Sequence, residues 1–375
     1  FQFVMKKENI TFVESVYKVA EQIGYPLDPP EEKVERSDPY RNLHKVLEES
    51  VRFSQYQLQS AEAADKKNYL LKRGMSEEEI QYYQIGYFPR QYPLHEFLRK
   101  KGYSVTDMVE SNVVNVNETG LHDVFYERIS IPIHDEYGQP VGFTARTLDP
   151  NDDRKYINTT GTAIYQKSCL VYNYHRAKEE INREKCVIIT EGPMDLFAFS
   201  RIGIKNVVAT LGTACTKEQV ALIKKLCKKV ILGYDGDTAG QNAIYKAGNL
   251  MMDAGLEVLV LNNPTDLDPD EIIAQKGKDA LKTMVNQPKL WIEFVYQYLY
   301  KRTDLKNYSQ RRDFASMMSL EIQRTKNATD KSIFMDRLSM DTGFRIDQLQ
   351  SMAIPQYNPQ PVEHIVQQPK KKTLD

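Results

Sequence analysis

Between residues 186 and 262 short apolar runs alternate with longer amphipathic ones: CVIITEG, MDLFAFSRIG, NVVATLG, TKEQVALIKKLCKK, VILGYDGD, AGQNAIYKAGNLMMDAG and EVLVLN. Runs this brief and this apolar suit strands covered on both faces. The helical stretches between them must then cross over the sheet, so the pattern predicts a parallel α/β layer. Three acidic motifs follow its strands: Glu191-Gly192-Pro193-Met194-Asp195, Asp235-Gly236-Asp237 and Asp268-Pro269-Asp270. The carboxyl ends of parallel strands form the ligand crevice of such sheets, so motifs far apart in sequence should converge there. Gly192 and Gly236 allow sharp turns beside a ligand, and Pro193 suits the first turn of the helix that carries Asp195.

Each motif alone reads equally well as an acidic helix start or a polar turn. Together they demand a counter-charge, because each like-charged pair about 4 Å apart costs roughly 4 kcal/mol at an effective dielectric near 20. With no His or Cys among them, the oxygen donors select hard cations, and Mg²⁺ or Mn²⁺ shared with substrate phosphates is the expectation.

The flanks read differently. Residues 10–23 have apolar positions at helical spacing closed by Gly24, YPLDPPEEKVERSDP reads as a loop, and a long helical pattern runs from Tyr40 to Leu71. Ser76 and Glu79 form a capping box for a short helix. From Phe125 the period changes to two: Ile129, Ile131 and Ile133 alternate with polar residues, Asp135 to Gly138 makes a turn, and QPVGFTARTL returns as the second strand of a hairpin. After Lys278 the chain reads as helical to Ala353, and the tail has little to bury and reads as disordered linker. The resulting fold class is α/β, or α+β overall. A mixed N-terminal subdomain spans 1–172, a parallel-sheet subdomain 173–278, a helical subdomain 279–355 and the tail 356–375.

At 375 residues and 41% hydrophobic, the chain can bury two or three cores. Its four cysteines contain no C-x-x-C pair, so neither a zinc knuckle nor a redox motif can be written from them, and reduced thiols suit a cytosolic protein. No run of about 18 apolar residues exists, and a soluble, intracellular protein is expected. Fifty basic residues balance 51 acidic ones, which argues against tight binding of nucleic acid by bulk charge. A nucleic-acid surface must be local, and Arg128, Arg146, Arg154, Lys155 and Lys167 lie together just upstream of the acidic motifs.

EGxxD, then DGD, then DPD resembles the Toprim domain shared by bacterial primases, topoisomerases and some nucleases, over about residues 185 to 275. The segments ERISIPI, GFTARTL, RKYINTTGT and AIYQKSCLVYN narrow the resemblance to bacterial DnaG-type primases. That resemblance implies a DNA-directed RNA polymerase that makes short RNA primers on single-stranded DNA for replication. It implies Glu191, Asp235 and Asp237 as catalytic residues, and Glu191, Asp235, Asp237, Asp268 and Asp270 as ligands of a pair of Mg²⁺ or Mn²⁺ ions. Asp195 would support them from behind. Arg73, Arg128, Arg146, Lys155, Asn158 and Lys167 would bind template or nucleotide, Arg offering a fork matched to phosphate oxygens. Two departures bear on local backbone shape and remove no ligand: Pro193 stands where an aromatic residue is often found, and Thr144-Ala145 replaces a glycine-rich pair.

The implied partners are single-stranded DNA, ribonucleoside triphosphates and the primer–template hybrid. A monomer is expected, with no membrane, in the bacterial cytoplasm at the replication fork. FQFVMKKENITFVE resembles the segment after a zinc-binding module, so zinc is expected only in a preceding module outside this chain. A helicase-binding region is expected beyond the linker. The alternatives are another Toprim enzyme, a topoisomerase or nuclease, or a non-catalytic nucleic-acid-binding module.

Overall fold

The structure, a computed structural model, describes residues 1–8, 12–25, 27, 39–212 and 215–352. The apolar runs after residue 185 form a five-stranded sheet in the order Lys289–Leu290, Glu257–Val260, Lys229–Leu232, Cys186–Thr190, Val207–Ala209. Its last four strands are parallel, and the first joins antiparallel at the edge. That edge strand was not visible in the sequence, since two residues carry no periodicity.

Side chains alternate across the sheet with period two. Val187, Ile189, Val230, Leu232, Val258 and Val260 enter one core with Trp291, Phe314 and Leu338 of the C-terminal helices. Ile188, Ile231, Leu259, Val207 and Ala209 enter a second core with Ile85, Ile131, Met194 and Phe197. The sheet is therefore a wall shared by the helical C-terminal part and the N-terminal lobe.

In that lobe Gly86–Phe88, Arg128–His134, Pro140–Thr147 and Tyr156–Asn158 make an antiparallel four-stranded sheet that contains the expected hairpin. The helix Arg41–Leu58 covers it, with Val46, Leu47 and Val51 packed against Phe88, Phe125 and Phe143. The sheet ends at Asn158 and the parallel sheet begins at Cys186, while apolar packing runs across the interval.

The single helix expected from Tyr40 to Leu71 is divided. Arg41–Leu58 ends, Ser60 adopts extended backbone with ψ 156, and Ala64–Lys72 follows a short 3₁₀ turn. Unbroken, it would run roughly 45 Å at 1.5 Å per residue. The turn instead brings Leu58 and Leu70 into the same core. Other expectations match: a helix at Phe12–Gln22, the Ser76–Glu79 capping box, and helices filling most of 278–352, while the loop expected over YPLDPPEEKVERSDP lies almost wholly outside the described residues. The linker assigned to 356–375 lies outside the described residues.

Gly248, inside the helix Thr238–Asp253, touches the face of Trp291, and a Cβ added there would overlap that ring. Helix propensity alone makes Gly248→Ala stabilising by up to about 1 kcal/mol. Overpacking against a buried indole reverses the sign, with a loss of about 1–3 kcal/mol expected. Thermal unfolding should show a lower Tm for the Ala variant, and an unchanged or higher one would contradict this packing.

Candidate active site

The two sheets face each other across a cavity of about 430 Å³. One wall is built by register. Arg146 pairs with Tyr156, and Thr144 with Asn158, so all four project from the same face of the antiparallel sheet, while Phe143 and Ala145 point into the core. Arg73, Lys155 and Lys167 complete this basic wall. Arg146 donates to the Tyr156 hydroxyl at 2.6 Å and lies over the Tyr156 and Tyr69 rings, which leaves it oriented and charged at the cavity surface.

Glu191, Asp195, Asp235, Asp268 and Glu271 form the opposite, acidic wall. The modest reading of these acids as helix starts and the functional one hold together. Asp195 accepts from the Gly192 amide at 3.2 Å, Asp237 from Gly240 at 2.7 Å and Asp268 from Glu271 at 2.6 Å. Each cap occupies one carboxylate oxygen, and three helix N-termini converge behind the acids with their partial positive charge. Gly236 lets the Asp235–Asp237 turn pack onto the Thr265 carbonyl, where any Cβ would collide.

Burial and mutual repulsion strain the acidic wall. Asp235 is pushed up to about 7, first by burial and then by Glu191, Asp268, Asp237 and Glu271. Burial followed by Asp235 and Asp268 holds Asp195 well above the usual carboxylate range. Burial then Asp237 raises Glu191, and burial raises Asp268. The Oδ1 atom of Asp235 is buried without a hydrogen-bond partner among the described residues. An orphaned anionic oxygen beside raised carboxyls is what a divalent cation would satisfy. No three His, Cys, Asp or Glu side chains among the described residues form a ready-made cage. Mg²⁺ usually takes one or two carboxylates plus water and substrate phosphates.

Residues 53–178 match the family described as DNA primase catalytic core, N-terminal domain, and residues 188–273 match the Toprim-like family. The DNA primase of Lactococcus lactis is 32% identical over 344 residues, covering 90% of this chain and 53% of that protein. Among solved structures, the Aquifex aeolicus primase, comprising zinc-binding and RNA polymerase domains, superposes with a TM-score of 0.68 at 27% identity over 93% of this chain and 83% of that one. The catalytic domain of a DnaG primase bound to ssDNA superposes with a TM-score of 0.69 at 28% identity, covering 82% of this chain and 98% of that one. The chain belongs to the DnaG primase family. It spans about half the length of the curated relative, 53%, and the two matched segments meet where the antiparallel and parallel sheets meet.

Within this DnaG-type core, Arg73, Arg146, Lys155, Asn158, Lys167, Glu191, Asp195, Asp235 and Asp268 all line the cavity. Three residues expected in the site do not. Arg128 is 5% exposed, pairs with Asp152 and donates to the Arg154 carbonyl at 2.9 Å; a buried guanidinium must be neutralised, and this one anchors the loop that leads to Lys155. Asp270 has both oxygens engaged, one by Arg73 and one by Arg201, and sits beneath the site instead of facing it. Asp237 is exposed and is not among the cavity-lining residues, though its charge acts on Glu191 and Asp235.

Sequence reasoning missed Glu271, Tyr156 and Thr144, which line the cavity. Glu271 was signalled by its spacing of three from Asp268, and Tyr156 by strand alternation with Asn158. No helix among the described residues is long and apolar enough to cross a membrane.

The raised carboxyls set a pH dependence. An aspartate near 7 in the folded state, against about 3.9 unfolded, binds more protons folded than unfolded between those values, so metal-free stability falls as pH rises from about 4 to about 7. Thermal melts should show a Tm decline of a few degrees across that window. The decline should be smaller in Asp235→Asn, and added Mg²⁺ should raise Tm more at pH 8 than at pH 5.5. Equal slopes for the two proteins would contradict the coupling.

Proposed function

We propose that this chain is the RNA-polymerase core of a primase, joining ribonucleotides on a single-stranded DNA template. The observation that carries this reading is one cavity with phosphate-binding cations on one wall and strained carboxylates on the other. A 3′-hydroxyl would attack the α-phosphate of an incoming ribonucleoside triphosphate, forming the O3′–P bond and breaking the bond to the leaving pyrophosphate.

Lys155, Lys167 and Arg146 would bind triphosphate or template phosphates, with Asn158 donating from the strand between them. Lys167 is partly buried, and that burial lowers its pKa, which suits a lysine meant to meet an anion in a shielded site. Glu191, Asp235, Asp237 and Asp268 would hold Mg²⁺ or Mn²⁺. The bound cations supply hydroxyl activation and neutralisation of the leaving phosphates. Glu191 is our choice for receiving the hydroxyl proton, because burial and then the neighbouring Asp237 raise its carboxyl above the usual glutamate range, which makes it a stronger base. Asp195 supports the Gly192 turn from behind.

Asp270 leaves the ligand set on this reading, since both its oxygens are taken. Arg128 becomes an anchor for the Lys155 loop. The partners would be single-stranded DNA, ribonucleoside triphosphates, their hybrid product and a replicative helicase, in the bacterial cytoplasm.

Primer synthesis from labelled ribonucleotides on single-stranded DNA, with and without Mg²⁺ or Mn²⁺, tests the reading, and no product under either metal would overturn it. Two aspartate variants should behave oppositely. Asp237→Asn keeps a capping oxygen for Gly240 and relieves repulsion, so its Tm should stay level or rise while synthesis drops by at least about 100-fold. Asp270→Asn strands two guanidiniums, one of them 5% exposed, and should destabilise the protein by about 3–5 kcal/mol. A normally active Asp237→Asn, or an Asp270→Asn that melts like wild type, would contradict these assignments.

A further inference from the structure

Arg201 follows the helix Pro193–Ser200, and its side chain is 5% exposed. All three of its guanidinium nitrogens are used: Nε donates to the Phe197 carbonyl at 3.3 Å, Nη1 to the Arg73 carbonyl and Nη2 to Asp270 Oδ1. Arg73 in turn donates through Nη2 to Asp270 Oδ2 and through Nη1 to the Tyr69 hydroxyl at 3.0 Å. The Tyr69 ring lies under both Arg73 and Arg146. One continuous network thus runs from a helix of the parallel sheet, beneath the cavity floor, to the basic wall of the opposite lobe. Arg73 lines the cavity and Arg201 does not.

Charge makes the arrangement directional. If Asp270 met Arg73 alone, a bidentate pair would neutralise the guanidinium and draw it off the cavity. Arg201 occupies the other oxygen, so the buried group of two guanidiniums and one carboxylate keeps an excess positive charge on the side where Arg73 meets the cavity. Arg201 also holds the Arg73 backbone at the end of the helix Ala64–Lys72. It ties the basic lobe to the helix that begins at the acidic EGxxD turn.

We infer that Arg201 is a positioning residue, fixing the Arg73 guanidinium at the cavity wall for contact with the triphosphate of an incoming nucleotide. The inference rests on the polymerase reading for the identity of that ligand. It requires Arg201 to act through Arg73, so the two residues should be energetically coupled and not additive.

A double-mutant cycle tests it, using the whole chain, ATP with Mg²⁺ as the probe, calorimetric Kd as one readout, and KM and kcat of primer synthesis as the other. Arg201→Gln should raise Kd and KM about tenfold while kcat stays within about threefold. Arg73→Ala should raise both by at least as much, and the double variant should be no weaker than Arg73→Ala. Effects that multiply would overturn the inference, as would an Arg201→Gln protein with a lowered Tm and unchanged Kd.

If Arg201→Gln does not fold, Arg201→Lys replaces it, because a lysine keeps a charge opposite Asp270 yet cannot span both Asp270 and the Arg73 carbonyl. It should melt near wild type and still bind ATP about tenfold more weakly; wild-type affinity in Arg201→Lys would overturn the positioning role. Wild type that binds ATP but makes no primers would defeat the polymerase reading alone, since the Kd cycle still judges Arg201. Wild type that fails to bind ATP at all would overturn both.

Discussion

Mutual repulsion among carboxylates at the ends of parallel strands is the constraint to which the rest of this structure answers. Glu191, Asp195, Asp235 and Asp268 are partly or wholly removed from water and act on one another, so each is harder to ionise than a free carboxylate. An isolated strand-end acid could rely on solvent. Several in one crevice need compensation built into the fold. Three helix N-termini supply part of it through capped Asp195, Asp237 and Asp268, and the basic wall opposite supplies more. The remainder is an uncompensated electrostatic deficit, and it is the feature on which the proposed role for divalent cations rests.

That compensation requires the two lobes to be held in fixed relation, because Coulomb energy falls with distance and the cations come from a different sheet. The parallel sheet does this by serving two cores at once, one on each face. Beneath the cavity, Asp270 adds a polar fastening between Arg73 and Arg201. A buried carboxylate between two guanidiniums resists rearrangement more through what its loss would strand than through net attraction. Aspartates of similar appearance in one motif thereby take different work: Asp268 faces the cavity, and Asp270 two residues later faces inward.

How legible this was depended on whether the signal was local. Strand-end acids, the hairpin and the capping box each declared themselves within a few residues, and the cavity gathers nine of the twelve residues expected in the site. Arg128 and Arg146 look alike in sequence, both basic and on paired strands, yet one is sealed against Asp152 and the other opens onto the cavity. The difference lies in the loop after the second strand, which returns Asp152 to Arg128, and no pattern near either arginine announces that return. The break at Ser60 was hidden for a similar reason: local helical periodicity continues, and only the demand that Leu58 and Leu70 share a core divides it.

The sequence by itself determined the alternation of strand and helix, and with it a parallel sheet whose carboxyl ends carry acids. Backbone periodicity and strand-end chemistry are short-range properties, written in consecutive residues. Which acids face the cavity, which arginines remain open to a ligand, and how Arg201 reaches Arg73 across 128 positions were decided only in three dimensions. Those choices follow from neutralising buried charge, and the partner that neutralises a charge is set by proximity in space, which the order of residues along the chain does not display.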